Sequence, residues 1–211
     1  MHELEPTVSS FRSGWRGVRL EAAALACITA FGVSAAWAQP ARYEIDAEHF
    51  SIGFRALHVG YADVIGMFLK ARGEFVYDET TRQLSSGRVV VDAASVFSNH
   101  ERRDDHLRKG DFLNVRAHPE VVFEAGAYRP ESESAGKLDG MLTLLGQTRP
   151  VTLDVRINKA APYPFGHGLH TLGISATTTL KRSEWGMTYA LKGNLVGDEV
   201  RMSFEFEAIR R

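Results

Sequence analysis

Residues 200–208 read Val-Arg-Met-Ser-Phe-Glu-Phe-Glu-Ala (VRMSFEFEA), with an apolar residue at every even position and a polar or charged one at every odd position. Successive side chains of a strand point to opposite faces, so this stretch predicts a strand with one dry face and one wet face. A helix would repeat its apolar residues at intervals of three and four instead. The same period of two recurs in Leu138, Gly140, Leu142 and Leu144, in Val151, Leu153, Val155 and Ile157, and in Leu172, Ile174, Ala176, Thr178 and Leu180. Between the first two runs, Gly146-Gln147-Thr148-Arg149 reads as a tight hairpin connection. Earlier in the chain, Ile52 and Phe54 alternate with Ser51, Gly53 and Arg55, and the 66–77 stretch ends on Glu74-Phe75-Val76-Tyr77. Residues 88–96 are rich in β-branched side chains, and 120–125 offer Val121 and Phe123. Together these make about eight strands separated by turn residues, with no strand–helix alternation. The pattern predicts an all-β antiparallel sandwich or barrel.

The first 38 residues are read apart from this fold. Arg12, Arg16 and Arg19 precede an apolar run from Ala22 to Val33, and Ala36-Trp37-Ala38 places small residues where a signal peptidase reads. Residues 1–38 are therefore expected to be a cleaved signal peptide, and 39–211 a single domain. An apolar run of that length falls short of the roughly 20 residues a membrane helix needs, and no later stretch comes closer. The lone cysteine, Cys27, lies inside the run, where a lipoprotein cleavage would leave too short an apolar segment before it. The mature chain is then free of cysteine, exported to an oxidising compartment without disulfides, and stabilised by its core alone. Three Lys/Arg and three Asp/Glu lie in the first 38 residues, so the remainder keeps the net charge of −1 found for the whole chain. That balance argues against nucleic acid and against an anionic membrane surface as partners.

One segment breaks the alternation. Residues 99–113, NHERRDDHLRKGDFL, crowd two histidines, four acids and four basic residues into fifteen positions. Spaced as a helix, His100–Asp104, Glu101–Asp105, Arg102–His106 and Asp104–Arg108 are neighbours one turn apart. His106, however, follows His100 by six residues, about 600° of rotation, so the two imidazoles point apart. There is no HExxH pattern and no soft cysteine ligand, and no metal site is expected. The segment reads as a charged helix with a partly buried Arg–Asp–His network, ending in the apolar pair Phe112-Leu113. An enzyme reading would rest on His106 with Asp104 or Asp105. His49 and His58 bracket the strand containing Ile52 and Phe54, about 30 Å apart if extended. His167 and His170 sit in the Gly/Pro-rich loop 160–168 or at its edge. Neither G-x-S-x-G nor a phosphate-binding glycine loop is present.

Bulky apolar side chains fill the inward-alternating positions. Phe54, Phe68, Phe75 and Phe123 supply the aromatics, and Leu142, Leu144, Leu153, Ile174, Met202 and Phe204 complete the set. An eight-stranded antiparallel barrel is just wide enough to be filled by such side chains or to hold one small ligand. A hydrocarbon threaded through it would gain about 0.8 kcal/mol per buried methylene and would need few polar contacts.

The ordered motifs resemble the YceI-like family, secreted bacterial polyisoprenoid-binding proteins with a lipocalin-like barrel. The first piece is Tyr43-x-Ile45-Asp46 with His49-x-x-Ile52-x-Phe54-x-x-x-His58-x-Gly60, then Gly66-x-Phe68. The second is Arg103-Asp104-x-His106-Leu107-Arg108-x-x-Asp111-Phe112-Leu113, leading to Pro119 and Phe123. The third runs from Gly140-x-Leu142-Thr143-Leu144 through Gly146, Thr148 and Pro150-Val151 to Leu153, and the last is Arg182-Ser183-x-Trp185-Gly186-Met187. Phe50, His118 and Trp185 depart from the residues the family commonly shows. The resemblance implies an eight-stranded antiparallel barrel with one short helix, holding an isoprenoid or fatty lipid in its interior. Phe112, Leu113 and Trp185 then join the lining. It implies that Arg103, Asp104, His106 and Asp111 form a structural network, with no catalytic residue and no cofactor beyond a bound isoprenoid quinone or lipid. A stress or interaction protein with a filled barrel is the alternative outside catalysis. The oligomeric state stays open between monomer and homodimer.

Overall fold

The computed structural model describes residues 39–211, so the expected signal peptide and Cys27 lie outside the described residues. The strands are β1 (Ala41–His58), β2 (Ala62–Phe68), β3 (Ala71–Asp78), β4 (Gln83–Asp92), β5 (Val96–Phe97), β6 (Glu120–Pro130), β7 (Ala135–Leu144), β8 (Gln147–Pro162), β9 (His170–Lys181) and β10 (Val196–Arg210). Among the described residues one α-helix, α1 (Glu101–Arg108), sits between β5 and β6. All strand pairs are antiparallel, and β1 pairs with β10 to close the sheet. Strand β1 is flanked on its other edge by β3 along Ala41–Glu44 and by β2 along Ile52–His58. β2 and β3 therefore act as two halves of one long strand, broken at Leu69-Lys70. β4 and β5 repeat the arrangement, with β5 pairing to β2 and β4 to β3. Ten segments thus make an eight-stranded up-and-down barrel closed by β1 on β10, with the short β5 pairing to β2 alone at one end.

The register explains where alternation holds and where it fails. Tyr43 and Ile45, at odd positions, are buried, whereas Phe50, Ile52 and Phe54, at even positions, face the interior. Inward parity can switch only if extra residues are inserted. Ile45 pairs with Ala208 and Phe50 with Phe206, so four residues of β1 stand opposite the single residue Glu207. This is an enlarged β-bulge, which bends the strand and turns its extra residues outward. The alternation around Ile52 and Phe54 predicts a strand that begins after His49 and leaves that residue at its end. The structure instead carries β1 nine residues further toward the N-terminus and places His49 in the bulge.

Turn chemistry sets the hairpin between β7 and β8. Leu145 (φ 52°) and Gly146 (φ 70°) both have positive φ, and Leu144 pairs with Gln147. A two-residue loop with that geometry matches the right-handed twist of the strands it joins. The connection expected over Gly146–Arg149 is thus shorter, and Gln147 to Arg149 already belong to β8.

Aromatic rings cover glycines on facing strands, and so pack the wall without crowding it. Phe54 lies over Gly66, Phe123 over Gly140, and Tyr128 over Gly136. A side chain at Gly140 would meet the Phe123 ring and the Glu124 carbonyl oxygen, the latter at 2.6 Å. Gly140→Ala should therefore cost about 1–3 kcal/mol in urea-melt stability. Gly110→Ala, where nothing lies within 4 Å of the added carbon, should change little.

Candidate functional site: an apolar cavity with a polar cap

The inward faces of the strands enclose a cavity of about 620 Å³, well inside the range of roughly 300–1,000 Å³ seen for small-molecule sites. Its wall includes Phe54, Phe68, Phe75 and Phe123 among the aromatics, and Leu142, Leu144 and Leu153 from β7 and β8. Ile174, Met202 and Phe204 line it from β9 and β10, and Phe112, Leu113 and Trp185 from the connections above them. Phe50, Tyr189 and Phe206, outside the set predicted from alternation and motifs, also face the cavity. Phe206 shares the parity of Met202 and Phe204, whereas Phe50 is brought inward by the bulge, a parity switch visible in the sequence once Tyr43 and Ile45 are included in the strand.

The two ends of the barrel differ. At the end where the chain enters and leaves the wall, Tyr43 and Ala208 are fully buried and Leu172 nearly so, and they pack with Ala41, Tyr77 and Ile174. Tyr43 stacks on Phe75 with ring centroids 5.3 Å apart, and Tyr77 meets Tyr128 edge-on at 6.2 Å. Burial and the neighbouring Tyr128 push the Tyr77 hydroxyl up to about 12, so the ring is neutral and acts as a wall.

At the opposite end lies the charged segment 99–113. α1 is only eight residues long and ends before Lys109, so Phe112 and Leu113 belong to the turn that follows. Both are buried and pack with Val96 and Met187. His100, considered above as a metal ligand, is the helix N-cap, its Nδ1 accepting from the Arg103 N–H at 3.3 Å. Asp104 is only 5 % exposed, so the helix is not uniformly solvated. Its carboxylate accepts from the Ser98 N–H at 2.7 Å and from the Ser98 hydroxyl, while Arg103 Nε donates to Ser98 Oγ at 2.7 Å. Arg108 donates to the carbonyls of Ala94 and Val96, each at 2.9 Å. The helix is thereby tied to the end of the broken β4–β5 strand.

His106 is not paired with Asp104 or with Asp105, the partners considered for an enzyme. Asp104 is turned into Ser98, and Asp105 accepts from Arg108 at 3.1 Å. His106 Nε2 lies 2.8 Å from Asp111 Oδ2 instead, and its ring meets Phe112 and Tyr189 edge-on at 5.0 and 5.1 Å. Arg103, His106 and Tyr189 all reach the cavity, so its helix end carries hydrogen-bonding groups above a mainly apolar tube whose lining also includes Glu74, Arg88 and Thr178.

Arg182 holds this end together, a role the sequence reading did not assign. It is 3 % exposed and donates to four backbone carbonyls, those of Gly197, Met187, Tyr189 and Val196, at 2.7–2.9 Å. Its guanidinium also stands over the Phe112 ring, 6.0 Å from the centroid. Burial lowers its pKa from the usual arginine value, and Asp198 opposes that drop. Trp185, 1 % exposed, is anchored by its indole N–H to the Leu142 carbonyl at 3.2 Å. Among the described residues no helix is long and apolar enough to cross a membrane.

Two outcomes follow from this arrangement. Arg182→Met would leave four carbonyls without their donor, each costing about 1–3 kcal/mol if it stays dry, so a loss of at least about 3 kcal/mol is expected in urea unfolding. Burial acts to raise the Asp198 pKa, but bonds from the Ser183 N–H (2.9 Å) and hydroxyl (2.8 Å), with the Arg182 charge, hold it below the usual carboxylate value. A carboxylate of depressed pKa contributes stability above its unfolded value of about 3.9, and that stability is lost as pH falls through the folded value. The melting-temperature gap between wild type and Asp198→Asn should accordingly be largest above about pH 4 and shrink below it.

Comparison with known proteins places this architecture. The YceI-like domain matches residues 43–208. A UPF0312 protein of Pseudomonas aeruginosa is 36 % identical over 180 residues, covering 84 % of this chain and 92 % of that protein. The crystal structure of Burkholderia cenocepacia BcnA superposes with a TM-score of 0.66 at 20 % identity, covering 77 % of this chain and 98 % of that one. A polyisoprenoid binding domain from Saccharophagus degradans superposes at 0.59 with 12 % identity, covering 80 % and 98 %. At such identities the two superpositions carry the fold alone.

Proposed function

The chain belongs to the YceI-like family, and from that premise we propose that it is a periplasmic binding or carrier protein for a polyisoprenoid, quinone-like lipid or another long-chain amphiphile. The observation that carries the reading is the cavity: a tube of about 620 Å³ walled by aromatic and aliphatic side chains, with Arg103, His106 and Tyr189 at one end. That distribution suits a molecule with a long apolar tail and a small polar head. The tail gains about 0.8 kcal/mol for each methylene removed from water. The head meets a guanidinium, an imidazole and a phenol as hydrogen-bonding partners. The polyisoprenoid-binding domain from Saccharophagus degradans, of the same fold, supports this choice of ligand class. The apolar lining supports a binding role over catalysis, and the hollow interior favours a carrier over a filled interaction barrel.

Organic extraction of the purified protein, followed by mass spectrometry, tests the proposal. One prenyl or long acyl lipid per chain is the expected result, and a chain that neither retains nor takes up such a lipid contradicts it. Leu153→Trp narrows the tube and should select a shorter tail. Displacing two methylenes removes about 1.6 kcal/mol, so affinity for the original lipid should fall more than tenfold.

A further inference from the structure

The bulge in β1 does more than reset parity. Its extra residues carry Asp46 and His49 to the outer face of the barrel, opposite Glu207, the one residue of β10 that faces four. His49 Nδ1 stands 2.7 Å from Asp46 Oδ2 and 3.8 Å from Glu207 Oε2. One donor atom from each of the three residues falls within a 4.8 Å span. Glu207 Oε2 is buried and has no hydrogen-bond partner, although the Tyr163 hydroxyl approaches the same carboxylate, and a dry oxygen left without a partner is unfavourable unless something else satisfies it. The other Asp46 oxygen accepts from the Glu48 N–H at 2.9 Å, which fixes the carboxylate in place. The loop between β8 and β9 lies alongside: the Tyr163 ring is 6.4 Å from His49, and His167 stacks on Tyr163 at 4.6 Å.

We propose that Asp46, His49 and Glu207 form a site for a divalent first-row transition metal, with Zn²⁺ the reference ion, on the outer wall of the barrel. One imidazole nitrogen and two carboxylate oxygens make a borderline donor set carrying two negative charges, suited to such an ion. Imidazole disfavours Ca²⁺ and Mg²⁺, which prefer oxygen ligands throughout. Bonds near 2.1 Å at tetrahedral angles place donors about 3.4 Å apart. The separations of 2.7 and 3.8 Å bracket that value, and the third, Asp46 to Glu207, lies within 4.8 Å, so shifts of about an ångström would complete the site. The orphaned Glu207 oxygen is the group that gains most, because a metal supplies the partner the protein does not. The bound ion would join β1 to β10 at the point where the barrel ladder is interrupted. It faces outward and is separate from the lipid cavity, so it stands whether or not the carrier reading does.

Isothermal titration of the full chain with Zn²⁺ in chelator-free buffer is expected to show saturable one-to-one binding, accompanied by a rise in melting temperature. His49→Ala and Glu207→Gln should each weaken binding at least tenfold and abolish the melting shift, while their metal-free melting temperatures stay near wild type. X-ray absorption at the zinc edge of the wild-type complex does not depend on any variant folding. One imidazole with oxygen ligands is expected there. Absence of saturable binding, binding undiminished in both variants, or two or more imidazoles around the zinc would each overturn the proposal.

Discussion

The pairing of β1 with β10 is the constraint on which the rest of the structure depends. Until those two strands meet, the meander is an open sheet with two edges and no enclosed space. Once they meet, the inward side chains of eight strands face one another across a closed tube. Whether that tube is solid then becomes a question of volume. The wall keeps its own packing through rings laid over glycines, Phe54 on Gly66 and Phe123 on Gly140, and these pull aromatic bulk toward the wall and away from the axis. The space left along the axis is the cavity.

The same pairing has to accommodate a conflict between its two halves. Tyr43 packs into the stacked aromatic end and Ile45 lines the tube from odd positions, whereas Phe50, Ile52 and Phe54 line it from even ones, so the two halves of β1 have opposite parity. The bulge resolves the conflict at the cost of several ladder hydrogen bonds and leaves Asp46, His49 and Glu207 together outside. At the far end, Arg182 gathers carbonyls from both arms of the β9–β10 connection, and Asp104 and Arg108 tie α1 to the broken β4–β5 strand. The two ends thus do different work: one seals with rings, the other presents donors above the cavity.

Much of the barrel was legible in the sequence because period-2 alternation is a direct imprint of one dry face, and VRMSFEFEA is that imprint with no interruption. The strand selections at Leu142, Leu153, Ile174 and Phe204 followed from it. What escaped were features set by pairing between distant segments. The bulge depends on Glu207 standing opposite Asp46–His49, 158 or more residues away in the chain, and alternation within β1 alone shows only a broken pattern. The pairing of His106 with Asp111 rather than with Asp104 or Asp105 depends on α1 stopping at Arg108, which helical spacing extended through residue 113 obscured. Arg182 opens the last of the ordered motifs, yet nothing local in the sequence reveals four carbonyls converging on it. The grouping of Asp46, His49 and Glu207 is built across two strands, which spacing within single segments cannot register.

Trp185 lines the cavity beside Leu142 and is almost fully buried, so its emission reports directly on what enters the tube. Titration of the protein with a long-chain isoprenoid quinone, a quencher of indole fluorescence, tests the account most directly. Saturable quenching at one quinone per chain, removed by Trp185→Phe, is the predicted result. A linear, non-saturating loss of emission that persists unchanged in Trp185→Phe would contradict a lipid held inside the barrel.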